Sequence, residues 1–187
     1  ALLRMQERRS GSKKVKEALQ DAGRRVQSIA TVHDSLAQNV SEVVDFDEVA
    51  PKILKMAAQV ATATAPVRLD VTGTFGLLGA EQASALATVL AELISNAAQH
   101  GTPGAGGTIW VRATRTDQEL KVVVEDQGSG EDDVPREDHA DLSRGLGTQI
   151  VKAMVSGELG GSIAWSGKKC GGTIADLRFT PQVPGRG

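Results

Sequence analysis

An amphipathic helix followed by a pair of strands sets most of what this chain can fold into. Between residues 81 and 100, Leu86, Val89, Leu90, Leu93, Ile94 and Ala97 recur at helical spacing and make one apolar face. Residues 108–115 and 120–125 then read as adjacent strands, with Thr116, Asp117, Gln118 and Glu119 as the turn between them. Around this unit, residues 49–61 are apolar on a helical period and residues 67–71 alternate as a strand. A further helix is expected over 147–159, and 162–165 with 172–179 close as a second hairpin pair. Helices and strands segregate instead of alternating regularly. That pattern predicts an α/β class: a two-layer α/β sandwich with helices on one face of a mixed, mostly antiparallel sheet. Aromatic residues are only 3% of the chain, so its core must be built from Ala, Val, Leu and Ile. Residues 131–144 are acidic and polar with no core signal, which predicts a surface loop.

The chain divides near residue 40. Upstream, Val15, Ala22, Ile29 and Leu36 fall seven apart, flanked by Leu19, Val26, Val32 and Val40. This is a long helix with one apolar seam. Ser10-Gly11-Ser12 separates it from a short helical stub over residues 1–9. The expected organisation is a helical hairpin over 1–42, a globular domain over 43–180 and a loose tail over 181–187. A hairpin cannot bury such a seam alone, so a homodimer through residues 13–40 is expected. Ala1 falls inside the apparent stub helix, which suggests a fragment of a longer protein.

Net charge excludes little but removes one class: at −2, nothing in the whole chain favours nucleic acid. The single cysteine, Cys170, offers neither an internal disulfide nor a zinc pattern and fits a reducing cytoplasm. No apolar run approaches a membrane span and no signal peptide is visible.

Two short stretches carry the chemistry. Glu92 and Asn96 stand four residues apart, hence on one side of the helix. Asn is a poor residue for mid-helix, but its carboxamide oxygen is a hard ligand suited to Mg²⁺. Glu92 could orient a metal-bound water or accept a proton. Taken alone, the pair would favour a solvated polar face. Asp126 follows Val122, Val123 and Val124 and directly precedes Gly128 and Gly130, placing a carboxylate at a strand end. Such an acid can accept a hydrogen bond from adenine's exocyclic amine, where guanine presents a carbonyl. The competing reading is an ordinary hairpin turn. Gly145, Leu146, Gly147 and Thr148 open a helix whose free amides could hold phosphate, or merely form its cap. Gly171-Gly172-Thr173 could be no more than a turn.

In order and spacing these pieces resemble the N, G1, G2 and terminal Gly-Thr boxes of the GHKL (Bergerat) ATP-binding fold, over residues 45–180. Sensor histidine kinases, anti-sigma-factor serine kinases, gyrase, Hsp90 and MutL share that fold. Upstream, residues 2–9 and 22–34 resemble the dimerisation hairpin of PdtaS-like histidine kinases. The resemblance implies ATP and Mg²⁺ as cofactors and γ-phosphoryl transfer to a histidine for relay to a response regulator. In actinobacterial members that regulator often carries an RNA-binding ANTAR output. It further implies Asn96 on Mg²⁺, Glu92 as base or water-orienting acid, and Asp126 with Thr173 at adenine. Gly128, Gly130, Gly145, Leu146, Gly147 and Thr148 would shape the phosphate loop, joined by His100 and Arg144. No phosphoacceptor is expected in this chain, since His33 aligns with a histidine of the hairpin's second helix and His139 lies in the acidic loop. The pattern departs from many kinases at Gln99, where a lysine is common, and between Gly130 and Gly145, where no Phe is present. Two other readings remain: an anti-sigma-factor-type serine kinase, which lacks the long hairpin, and a non-enzymatic nucleotide-gated interaction module.

Overall fold

The computed structural model describes residues 42–61, 67–100, 107–128, 146–168 and 171–184. The expected hairpin and dimer seam over residues 1–40, and the acidic loop over 131–144, lie outside them.

The described chain opens with a short strand, β1 (Val43–Asp45), and a helix, α1 (Phe46–Ala61). Asp45 caps that helix, its Oδ1 accepting the Asp47 N–H at 3.1 Å. Strands β2 (Arg68–Gly73) and β3 (Leu77–Gly79) lead into the long helix α2 (Ala80–His100). Then come β4 (Thr108–Arg115), β5 (Leu120–Asp126), helix α3 (Leu146–Gly157), β6 (Ser162–Gly167) and β7 (Thr173–Phe179). β1 pairs antiparallel with β3 as a separate two-stranded ribbon, which the sequence pattern did not reveal. The main sheet has the order β2-β4-β5-β7-β6. β2 runs parallel to β4 and every other neighbouring pair is antiparallel.

Register puts the core on one face of this sheet. Val111 lies opposite Val124 and Val124 opposite Ala175; Ala113 faces Val122 and Val122 faces Leu177. All of these side chains are buried, as period-two alternation requires. Intervening positions carry charge: Arg112, Lys121, Glu125, Asp176 and Arg178 are linked by ion pairs on the opposite face. The helices cover the apolar face, with α2 packed against both α1 and α3. The architecture is thus the two-layer α/β sandwich expected from the sequence. Its core is aliphatic, and the chain's three phenylalanines, Phe46, Phe75 and Phe179, are all buried in it.

Two differences from the sequence reading matter. Helix α2 buries far more than one stripe: Ala83, Ala85, Ala87, Ala91 and Thr88 are buried besides the expected face. Small side chains let α1, α3 and the sheet close on it together. Gln182, inside the segment expected as a loose tail, is hydrogen-bonded to the domain. Gln182 accepts the Gly79 N–H at 2.7 Å, and its own N–H donates to Gln82 Oε1 at 2.7 Å. The Gln82 amide also donates to the Thr180 carbonyl at 3.1 Å, from a side chain only 4% exposed.

Loop 74–76 is fixed from two sides. The Asp47 carboxylate accepts the Phe75 and Gly76 N–H groups at 2.7 and 3.0 Å. Arg115 donates to the Phe75 and Leu77 carbonyls at 2.7 and 3.0 Å. The Phe46 and Phe75 rings meet beneath, with centroids 5.2 Å apart.

Candidate functional site

The site begins at the end of β5. Because Leu120, Val122 and Val124 face the helices, Asp126 faces them too, and its side chain is 3% exposed. Both of its oxygens accept backbone amides: Oδ1 from Gly128 at 3.0 Å and Oδ2 from Thr173 at 3.1 Å. Burial pushes the carboxyl above its ordinary value, while the Thr173 and Gly128 amides and the charge of Lys168 pull the other way. A carboxylate so held is rigid, dehydrated and still has lone pairs to offer, which suits recognition of a ligand N–H.

The turn joining β6 to β7 folds directly over this acid. Gly172 has φ +95°, and a side chain there would stand 2.7 Å from the Asp126 carbonyl oxygen and 3.0 Å from Oδ1. Gly128, at φ +78°, would collide in the same way with the backbone of Gly171 and Gly172, at 2.4–2.5 Å. The two glycines therefore exist as a matched pair: each leaves the space the other's backbone fills. The sequence left this turn open between a simple hairpin and part of the nucleotide site; its Gly172 and the adjoining Thr173 pack on Asp126.

Glu92 and Asn96 lie in the second half of α2. Glu92 is 2% exposed, so it does not belong to a solvated polar face; Asn96 is half-buried one turn later. α2 packs on β5 and on α3, whose first turn carries the buried Gly147 and Thr148. The three elements that bear the sequence-selected residues are thus neighbours through α2. Gln99 donates to the Ser95 hydroxyl at 2.9 Å, along its own helix. Gly130, Arg144 and Gly145 lie outside the described residues, as do the side chains of His100 and Leu146. Among the described residues no group of three or more His, Cys, Asp or Glu side chains could cage a metal. A Mg²⁺ ion would keep water and phosphate oxygens and ask only one or two ligands of the protein, and the half-buried Asn96 offers one carboxamide oxygen.

Residues 81–184 match the family described as histidine kinase-, DNA gyrase B-, and HSP90-like ATPase. The chain belongs to this ATPase family. A second family, described simply as histidine kinase, matches residues 1–61. The sensor histidine kinase PdtaS of Mycobacterium tuberculosis is 41% identical over 188 residues, covering 100% of this chain and 37% of that protein. PdtaS of Mycolicibacterium smegmatis is 39% identical over 180 residues, covering 95% of this chain and 36% of the relative. The chain therefore spans little more than a third of the length of these relatives. Among solved structures, the histidine kinase domain of the Erythrobacter litoralis blue-light activated histidine kinase EL346 superposes with a TM-score of 0.67 at 19% identity. That match covers 95% of this chain and 92% of the other, and establishes a shared fold. The mycobacterial sensor histidine kinase MprB gives 0.54 at 25% identity, covering 76% and 99% of the two chains.

Beside Asp126 lies a charged cluster that the sequence pattern did not reveal. Lys168 donates to Glu125 Oε1 at 2.6 Å and to the Asp126 carbonyl at 3.3 Å. Glu125 in turn accepts from Arg112 at 2.8 Å. Hydrogen bonds from Arg112 and then Lys168 hold the Glu125 carboxyl below the usual range. A lysine after a strand carries no signal of its own in a sequence, since only the register of β5, β7 and β6 brings it to this place.

Proposed function

We propose that this chain is the catalytic core of a sensor histidine kinase, binding Mg-ATP and passing its γ-phosphoryl group to a histidine for relay to a response regulator. The observation that carries the reading is the buried Asp126 carboxylate, fixed on two backbone amides at the mouth of a glycine-lined turn. In this reading Asp126 accepts the adenine amine, with Thr173 beside it. Gly128 and Gly130 shape the loop, and the amides about Gly145, Leu146, Gly147 and Thr148 hold the phosphates, joined by His100 and Arg144. Asn96 would ligate Mg²⁺, which supplies charge neutralisation at the phosphates when bound. Glu92, buried one turn away, accepts a proton or orients a water. Phosphoryl transfer then rests on positioning and electrostatic stabilisation.

The acceptor is a histidine other than His33, His100 and His139. We further read residues 1–42 as part of the dimerisation hairpin, with a homodimer through 13–40. In this reading the setting is cytoplasmic and the partner is a response regulator of the class that often carries an RNA-binding ANTAR output. No helix among the described residues is long and apolar enough to cross a membrane.

Competition of ATP, ADP and GTP against a fluorescent adenine nucleotide tests the base site. ATP and ADP should bind well and GTP poorly, since guanine's carbonyl would face the carboxylate and leave buried acceptors unpaired, at about 1–3 kcal/mol. Asp126→Asn should weaken adenine binding and narrow the gap; unchanged selectivity in the folded variant refutes the assignment. Incubating the chain with labelled ATP and a histidine-bearing first helix should yield acid-labile phosphate. Acid-stable phosphoserine would instead indicate the serine-kinase class, and no transfer at all a nucleotide-gated module.

A further inference from the structure

Lys168 stands at the root of the β6–β7 turn, and its ammonium reaches from the charged face of the sheet to the end of β5. Its backbone closes the turn from both sides: its N–H donates to the Gly172 carbonyl at 3.1 Å and its carbonyl accepts the Gly171 N–H at 3.2 Å. Its ammonium crosses to the neighbouring segment, meeting Glu125 Oε1 at 2.6 Å and the Asp126 carbonyl at 3.3 Å, and lies 5.4 Å from the centroid of the Trp110 ring. One residue therefore joins the turn that carries Gly172 and Thr173 to the strand end that carries Asp126. The side chain is 25% exposed and its partner Glu125 is 17% exposed, so the pair is screened less than a surface ion pair.

We infer that Lys168 is a positioning residue for the nucleotide base: it straps the β6–β7 turn to the end of β5, so that the Thr173 N–H stays on Asp126 and the carboxylate stays aimed at the adenine amine. This rests on the reading of Asp126 as the base-recognising acid. The strap acts in two ways. Mechanically, it opposes outward motion of the turn, which would stretch the 3.1 Å Thr173–Asp126 bond. Electrostatically, its positive charge favours the ionised form of Asp126, the form that accepts hydrogen bonds without donating one. The end of β5 holds Glu125 with Arg112 and Lys168 on the opposite sheet face, and α2, which packs on β5, carries the buried Glu92. Of these, Lys168 is the one whose charge lowers the Asp126 carboxyl.

The test is ADP affinity as a function of pH for Lys168→Met, Lys168→Gln, Lys168→Arg, Arg112→Met and Asp126→Asn. Arg112 shares the Glu125 carboxylate from β4, so it controls for simple loss of an ion pair. Lys168→Met should lose about tenfold in affinity at neutral pH, the scale of one charged hydrogen bond, and its acid-side fall in affinity should begin at higher pH. Lys168→Gln keeps hydrogen-bonding reach without charge and should show the same pH displacement, which carries the test if the methionine variant does not fold. Lys168→Arg should restore both affinity and profile, and Arg112→Met should change affinity by no more than about twofold. Parent-like affinity and pH profile in the Lys168→Met and Lys168→Gln variants would overturn the inference, as would an equal loss in Arg112→Met. If Asp126→Asn abolishes selective ADP binding while the lysine variants bind normally, only the role of Lys168 fails. If Asp126→Asn binds normally, the base site itself is elsewhere and both readings fall.

Discussion

Replacing Gly172 by alanine should damage both the fold and the proposed nucleotide site, and the size of the effect follows from the geometry. A φ of +95° lies beyond the left-handed helical well, in a region that side chains strongly avoid. Holding alanine there costs about 1–3 kcal/mol. The new methyl would meet the Asp126 carbonyl oxygen at 2.7 Å, Asp126 Oδ1 at 3.0 Å and the Gly128 nitrogen at 3.1 Å. Two of these are backbone atoms, and Oδ1 is pinned by the Gly128 N–H, so the turn itself must move. Outward motion breaks the Thr173 N–H bond to Oδ2, a bond to a buried charged group worth about 1.5–3 kcal/mol. Together the loss is roughly 2.5–6 kcal/mol, a large part of the stability of an ordinary domain. Gly160 is the control: its φ is +61° and nothing lies within 4 Å of an added methyl. Gly160→Ala should therefore cost only about 1–2 kcal/mol. Urea unfolding at unchanged slope gives the stabilities, and titration with ADP at low denaturant gives the affinities. Gly172→Ala should lose more than about tenfold in ADP affinity, and Gly160→Ala none. Equal destabilisation by the two substitutions, with ADP binding intact in both, would show that the turn is not clamped on Asp126.

Three other outcomes are expected. Asn96→Ala should abolish Mg-dependent ATP binding in a folded protein, whereas Glu92→Gln should keep binding and slow transfer; calorimetry giving Asn96→Ala the parent's affinity removes the metal-ligand role. Acid should act in opposite senses on neighbouring carboxyls. Asp126 is raised by burial, so its protonation favours the folded state as pH falls through that raised value toward the ordinary aspartate range, while ADP affinity declines over the same window. Glu125, lowered by Arg112 and Lys168, and Asp176, lowered first by Arg178, contribute stability that is present above the unfolded pKa and lost as pH falls through their depressed values. Stability measured against pH should thus lose its Asp126 gain in Asp126→Asn alone; identical curves for parent and variant refute the assignment. Gln82→Ala strands the Thr180 carbonyl and the Gln182 N–H, and should cost about 1–3 kcal/mol without altering ADP affinity; a change in affinity would mean that residues 180–182 reach the site.

Local chemistry made part of this legible in advance. The alternation Leu120, Val122, Val124, Asp126 can be read directly, and it places the acid on the apolar face as surely as it places the valines. The turn at residues 116–119 is closed by its own members, the Thr116 N–H donating to the Glu119 carbonyl at 2.8 Å, so adjacent residues suffice to reveal it. What stayed hidden depends on long-range closure. Strands β1 and β3 are three residues each and owe their pairing to each other, 34 positions apart at Val44 and Leu78. The burial of Glu92 could not be read from its helix, because it depends on how tightly α1, α3 and the sheet close around alanines that carry little periodic signal.

The same distinction explains why a glycine pair can look trivial and be decisive. Gly171-Gly172 before a strand is a common way to turn a chain, and no local feature separates it from any other tight hairpin. Its consequence appears only when β7 takes its place beside β5, with Ile174 opposite Glu125, which brings the turn over the end of the neighbouring strand. From that register three things follow at once. The Thr173 N–H reaches Asp126, the Gly172 backbone fills the space beside it, and Lys168 reaches Glu125 and the Asp126 carbonyl. The site is therefore a property of sheet register before it is a property of its side chains. A one-residue slip of β7 would turn Ala175 and Leu177 out of the core, so the hydrophobic effect that stabilises the sheet also fixes the turn on its acid.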